Sequence, residues 1–310
     1  MLAAGDGGGT LVRWRKSAGE SGDLQDMRGS SGRAGGIPGG FKGGAGGVGV
    51  VGIIIALLFT FLGGGGSSAF SPDASLNNFP ASPPATGGGI DASAPDPDAD
   101  LKAFMTFVIN DVQDSWKTSF EAKGLPYERT TLVLFSRAIG TGCGAASSET
   151  GPFYCPRDRR VYLDLAFFRE LRDRFGAPGD FAQAYVIAHE VGHHVQNLLG
   201  ILPEVNQRQQ SDPGAANELS VRLELQADCF AGVWAHTAYQ RQILESGDLE
   251  EGLTAAAAIG DDRLQRQSSG RVNPESWTHG SSAERSKWFK TGYERGTIEA
   301  CNTFNGASLQ

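Results

Sequence analysis

Three of the five histidines fall in one run, His189-Glu190-Val191-Gly192-His193-His194. Side chains four apart on an α-helix share a face, with Cβ atoms about 5–6 Å apart. Two imidazoles in HExxH spacing can therefore ligate one Zn²⁺, with Glu190 beside the place of a metal-held water. Zn²⁺ lowers the pKa of such a water from about 15.7 to about 7, and an adjacent carboxylate takes its proton as the oxygen attacks a carbonyl carbon. This spacing serves hydrolysis of a peptide bond. A catalytic zinc takes three protein ligands and keeps a fourth position open, so one more donor is required. Glu224 is the best candidate, in Glu224-Leu225-Gln226-Ala227-Asp228 on the next long helix. Glu224 and Asp228 are again four apart, so the first can bind metal while the second accepts a hydrogen bond from a ligating imidazole and orients it. Glu204, expected in a turn beside Pro203, and Glu218, with no acidic partner at i+4, rank below it.

The other histidines have lesser claims. His194 points about 100° away from His193 around the helix and is not a ligand of the same metal; a backbone or carboxylate partner is expected for it. His236 reads as structural or exposed. His279, in Thr278-His279-Gly280-Ser281-Ser282, is the candidate to reach the cleft and donate to a developing oxyanion, against the simpler role of pinning its loop. Ser281 or Ser282 caps a helix with Glu284 and Arg285 in its first turn. Tyr154, Tyr162 and Tyr185 are possible cleft residues among which nothing in the sequence selects.

Apolar residues near helical spacing from Leu101 to Phe120 predict a first helix ending near Gly124. Thr130 to Phe135 and Arg160 to Leu163 read as two short strands able to pair. Helices are then expected over 166–175, 180–199 (closed by Gly200 and Pro203), about 215–245 and about 249–267. The fold class is mainly α, of α+β type, with a small sheet before long motif helices.

Much of the glycine, 44 of 310 residues, lies in the first hundred positions. There, 43–66 carries no charge and 48–62 is almost wholly aliphatic or aromatic, which reads as one membrane span. Basic residues precede it, and the next after Lys42 is Lys102, so the expected orientation has the N-terminus cytoplasmic and the bulk extracytoplasmic or periplasmic. The competing reading is a cleaved signal peptide with a long basic region. The expected organisation is a disordered segment 1–42, a transmembrane helix 43–66, a disordered tether 67–99 and an exported domain 100–310.

In an oxidising compartment the four cysteines form two disulfides. Of three possible pairings, Cys143–Cys155, closing a short Gly/Pro loop, and Cys229–Cys301, pinning the tail, are favoured; the alternative for Cys229 is a small buried hydrophobe. The net charge of −8 argues against a nucleic-acid partner, and no glycine-rich phosphate loop is present.

Cys143-Gly144, the run 151–156, the run 161–164, the motif stretch 180–196, Glu224 to Cys229 and Trp277 to Ser281 together resemble the bacterial putative neutral zinc metallopeptidase family, over nearly the whole chain. The early Arg13-Trp14-Arg15 and the single span are similar to that family's layout. The resemblance implies a membrane-tethered, zincin-like domain with Zn²⁺ on His189, His193 and Glu224, Glu190 as catalytic carboxylate, and a peptide or protein substrate. The rivals are an envelope binding or assembly factor holding a structural zinc, and a metal-free adhesin or scaffold.

Overall fold

The computed structural model describes residues 12–14, 21–29 and 95–304. Helix α1 (Ala99–Glu121) buries Phe104, Met105, Val108, Val112, Trp116 and Phe120 along one stripe, at three- and four-residue spacing. Four strands form the main sheet in the order β1 (Leu24–Asp26), β2 (Thr131–Phe135), β6 (Arg160–Asp164), β5 (Phe153–Cys155). The expected pair β2 and β6 lies at its centre and runs parallel, with Leu132 opposite Val161 and Leu134 opposite Leu163. Period-two alternation sends those four side chains into the main core. Val133, Phe135 and Tyr162 go to the other face, into a small core with Phe153 and Cys155. The hairpin β3 (Ala138–Thr141) and β4 (Gly144–Ser147) covers that smaller core.

Helices follow the sheet: α2 (Ala166–Asp173), α3 (Asp180–Leu198), α4 (Ile201–Ser211), α5 (Ala216–Gln240), α6 (Asp248–Ala258), α7 (Asp261–Ser269) and α8 (Ser282–Arg295). The motif helix α3 is buried on nearly every side from Phe181 to Gln196, enclosed by α1, α5 and α6. Its end is the expected one, since Gly200 turns left-handed at φ 78°. Ser281 and Glu284 form a capping box at the start of α8.

Helices α5 and α8 approach backbone to backbone. A Cβ on Gly292 would overlap the Cys229 carbonyl, and one on Gly232 would overlap the Phe289 carbonyl, so only glycine permits the crossing. The Cys229–Cys301 disulfide fixes the tail beside it, and Cys143–Cys155 closes the loop before β5. Both favoured pairings are present.

Several expectations need correction. Residues 12–14 and 21–29 fall in the segment read as disordered, yet β1 pairs in parallel with β2, Val12 is buried, and the Val12 amide donates to Asp180. Averaging composition over 42 residues hid a three-residue strand whose partners lie a hundred residues away. The arm is fastened by Arg28, nearly buried and paired with Asp26, Asp96 and Asp98, so Asp96 and Asp98 also leave the segment read as tether. Burial alone would raise Asp26, but hydrogen bonds from Arg28 and Lys102 bring it down to about 2. The helix expected over 249–267 is two, α6 and α7, because Gly260 passes so close to the Ser282 backbone that the chain must bend there. Glu204 lies in α4 and not in a turn, as Pro203 occupies the first helical turn, where its missing N–H costs nothing. The apolar run 43–66 lies outside the described residues, among which no helix is long and apolar enough to cross a membrane.

Substituting Gly292→Ala forces α8 off α5. We expect a loss of about 1–3 kcal/mol, read as a lower urea midpoint with unchanged slope, while Gly140→Ala, where an added Cβ meets nothing within 4 Å and φ is not positive, costs less than this crossing glycine.

Candidate metal centre

Helix α3 presents His189 and His193 on one face, and α5 brings Glu224 to them. The helices pack tightly at this point because position 192 is glycine, whose added Cβ would lie 3.1 Å from the Ala227 carbonyl oxygen. His189 Nε2 stands 3.2 Å from Glu224 Oε2, and His193 Nε2 stands 3.4 Å from Glu224 Oε1. One donor atom from each residue lies within 4.8 Å of the other two. All three are about 95% buried.

Each imidazole is held from behind. His189 Nδ1 lies 2.9 Å from Asp228 Oδ1, and His193 Nδ1 lies 2.8 Å from Gln196 Oε1. These acceptors fix the Nδ1–H tautomer, leaving both Nε2 lone pairs aimed at the common point. Gln196 is itself oriented, its amide N–H groups donating to the Leu223 carbonyl at 2.7 Å and to Gln226 at 3.1 Å. Asp228 is the expected orienting carboxylate, and it does more. It is fully buried, accepts the Tyr185 hydroxyl, and receives Arg285 Nε at 2.8 Å and Nη2 at 2.9 Å.

The charges of this buried group are strongly coupled. Burial would raise both carboxylates, but the charge of Arg285 and the His189 hydrogen bond hold Asp228 down, and His193 with His189 holds Glu224 well down. Burial would lower His189, but Asp228 and Glu224 outweigh it and lift the ring to about 10, so that without a cation a proton occupies the Nε2 position that a metal would take. The focus of the three donors thus favours positive charge. Two imidazole nitrogens and a carboxylate oxygen are a fitting donor set for Zn²⁺. Glu190, beside His189 and also buried, goes the other way: burial raises its pKa, opposed by His189 and His193.

His279 is buried on the loop before α8. Asp261 Oδ2 accepts the backbone N–H groups of Thr278, His279 and Gly280 at 2.7, 2.7 and 3.1 Å, and Asp261 Oδ1 lies 3.2 Å from His279 Nδ1. The loop rests on Val221 and Leu225 of α5, and the charge of His279 contributes to lowering Glu224. Four sequence-designated residues, His189, His193, Glu224 and Asp228, therefore meet directly. Glu190 and His279 lie electrostatically within their reach. Glu204 and Glu218 instead pair with Arg208 and Arg222 on their own helices. His194 has the expected backbone partner, with Nε2 at 2.7 Å from the Glu128 carbonyl and Nδ1 at 3.0 Å from the Tyr154 hydroxyl. His236 Nδ1 is bound by the Tyr293 carbonyl at 2.7 Å.

Sequence reasoning missed Arg285, Gln196 and the role of Tyr185. Tyr185 and Gln196 sit four before His189 and three after His193, on the same helical face, a signal that was available. Arg285 had none, because α8 reaches α3 only through the tertiary fold.

The family described as "Putative neutral zinc metallopeptidase" matches residues 12–304. The chain belongs to this family. It is 56% identical over 202 residues to the "Uncharacterized protein YpfJ" of Escherichia coli (strain K12), covering 65% of this chain and 70% of that one. It is 47% identical over 236 residues to the "Uncharacterized protein Rv2575" of Mycobacterium tuberculosis (strain ATCC 25618 / H37Rv), covering 71% of this chain and 78% of that one. No solved structure matches the chain. Membership extends to the N-terminal arm, since the match begins at Val12.

Replacing Asp228→Asn keeps the shape but weakens the anchor of His189 and leaves Arg285 only the more distant Glu224, at 3.9 Å, as a buried counter-charge. Zinc affinity is expected to fall about 10–100-fold, measured by competition with a chromogenic chelator.

Proposed function

We propose that this chain is a zinc metallopeptidase that hydrolyses peptide bonds in peptide or protein substrates. The observation that carries the reading is the convergence of His189 Nε2, His193 Nε2 and Glu224 on one point, with a buried carboxylate, Glu190, next to them. A zinc ion at that point would supply Lewis acidity and lower the pKa of water at its open position. The chain's own residues supply the rest. Asp228 and Gln196 keep both imidazoles in the tautomer that offers Nε2. Burial raises the proton affinity of Glu190, which suits a group that takes a proton from the attacking water and returns it to the departing amine. His279, whose Nδ1 faces Asp261 Oδ1, donates from its other ring nitrogen to the substrate oxygen that gains negative charge only as the imidazolium, with a proton on both ring nitrogens and Asp261 as counter-charge.

The run 43–66 holds the chain at the cytoplasmic membrane, and the two disulfides support an extracytoplasmic, oxidising surrounding for the domain.

Glu190→Gln, an isosteric loss of the proton acceptor, is expected to reduce cleavage of an unfolded polypeptide by about 10²–10⁴-fold with zinc content unchanged. If the zinc-loaded wild-type chain cleaves no unfolded polypeptide, the peptidase reading falls and a structural zinc in a binding or assembly factor replaces it. His279→Gln is expected to lower kcat with little change in KM, as a group acting chiefly in the transition state requires.

A further inference from the structure

A second group of carboxylates lies away from the metal centre. Asp180 opens α3, while Asp248 and Glu251 stand in the first turn of α6. One oxygen from each lies within 4.8 Å of the others. Each carboxylate commits one oxygen to a backbone N–H: Val12 to Asp180 Oδ2 at 2.9 Å, Glu245 to Asp248 Oδ2 at 2.8 Å, and Phe181 to Glu251 Oε2 at 3.2 Å. Asp248 is fully buried, yet its Oδ1 has no hydrogen-bond partner, and neither has the buried Oδ1 of Asp180. Among the described residues no Lys or Arg pairs with any of the three. Three carboxylates packed without a counter-charge repel one another, and a buried oxygen without a partner costs about 1–3 kcal/mol or more. Burial and mutual repulsion lift Asp180 to about 6 and Glu251 to about 7. A cation held among the three carboxylates would supply the missing counter-charge.

We propose that Asp180, Asp248 and Glu251 bind a divalent cation of the calcium class. The donors are all oxygen, the choice of a hard cation, and calcium tolerates irregular coordination in which water completes what three carboxylates leave open. The ion ties the first residue of the motif helix to α6. Through the Val12 amide on Asp180, it also steadies the N-terminal arm.

The full chain loaded with zinc is titrated with Ca²⁺ by calorimetry, over the range of about 10⁻⁴–10⁻³ M common in extracellular modules, with zinc measured on the same sample. One bound calcium per chain and a melting temperature that rises with calcium are expected, both lost in Asp248→Asn and weakened in Glu251→Gln, with zinc retained. The half-exposed Glu251 provides the reading if Asp248→Asn does not fold. No calcium bound by the wild type, or binding that persists in the variants, overturns the site. Neither result bears on the zinc centre, whose occupancy is read separately.

A separate observation carries a second inference. β1 is hydrogen-bonded along β2, Arg28 is held by Asp96 and Asp98, and the Arg13 amide donates to the Ile243 carbonyl at 2.8 Å. Contacts of this kind form only in one aqueous phase. We infer that the residues before the apolar run 43–66 share a compartment with the domain after it, in place of the expected cytoplasmic N-terminus. In membrane vesicles of known orientation, epitope tags added before Met1 and after Gln310 are then cleaved by external protease in the same vesicle orientation. Cleavage of the two tags in opposite orientations overturns the inference.

Discussion

The structure turns on one buried carboxylate. Asp228 joins α5 to α3 through His189 and Tyr185, and to α8 through Nε and Nη2 of a fully buried arginine, Arg285. An unpaired charge in this interior would be costly, and removing one partner of such a pair typically loses about 3–5 kcal/mol. The interaction therefore selects a single mutual placement of three helices. That placement puts Glu224, one turn before Asp228, against the Nε2 atoms of His189 and His193. Folding and metal-site geometry are one constraint, expressed at two positions of the same helix.

Close approach makes that constraint usable. Gly192 allows α5 to reach α3, and Gly232 with Gly292 allows α8 to reach α5. Each is a place where a methyl group would push apart elements that must supply donors within a few tenths of an ångström of their working positions. The sheet contributes at longer range. Its buried face of Leu132, Leu134, Val161 and Leu163 supports the same core as α3, and the Gln196–Gln226 link, extended by Gln226 Nε2 to the Cys301 carbonyl at 3.0 Å, couples the His193 anchor to the disulfide-pinned tail.

Legibility in the sequence divides along the range of the interaction. HExxH on α3 and ExxxD on α5 were readable because both depend on four-residue spacing within one helix, and both cysteine pairings followed from loop length and position. The two central strands and most helices announced themselves by apolar periodicity. The joint role of Arg285 could not be read, because its partners are 57 and 100 residues away and nothing near it in sequence differs from an ordinary first-turn arginine. The arm failed for the complementary reason. Its strand is three residues long in a glycine-rich surrounding, and its stability comes from β2 and from an Arg28 network spread over 70 residues. The break at Gly260 likewise reflects contact with Ser282 and not local propensity.

The most direct measurement is a crystal structure of the zinc-loaded full chain with anomalous scattering recorded at the zinc edge. One zinc is expected at about 2.0–2.2 Å from His189 Nε2, His193 Nε2 and Glu224, with no protein atom in the remaining position. Zinc bound elsewhere, or closed in by a fourth protein ligand, would contradict a catalytic centre built on these three residues.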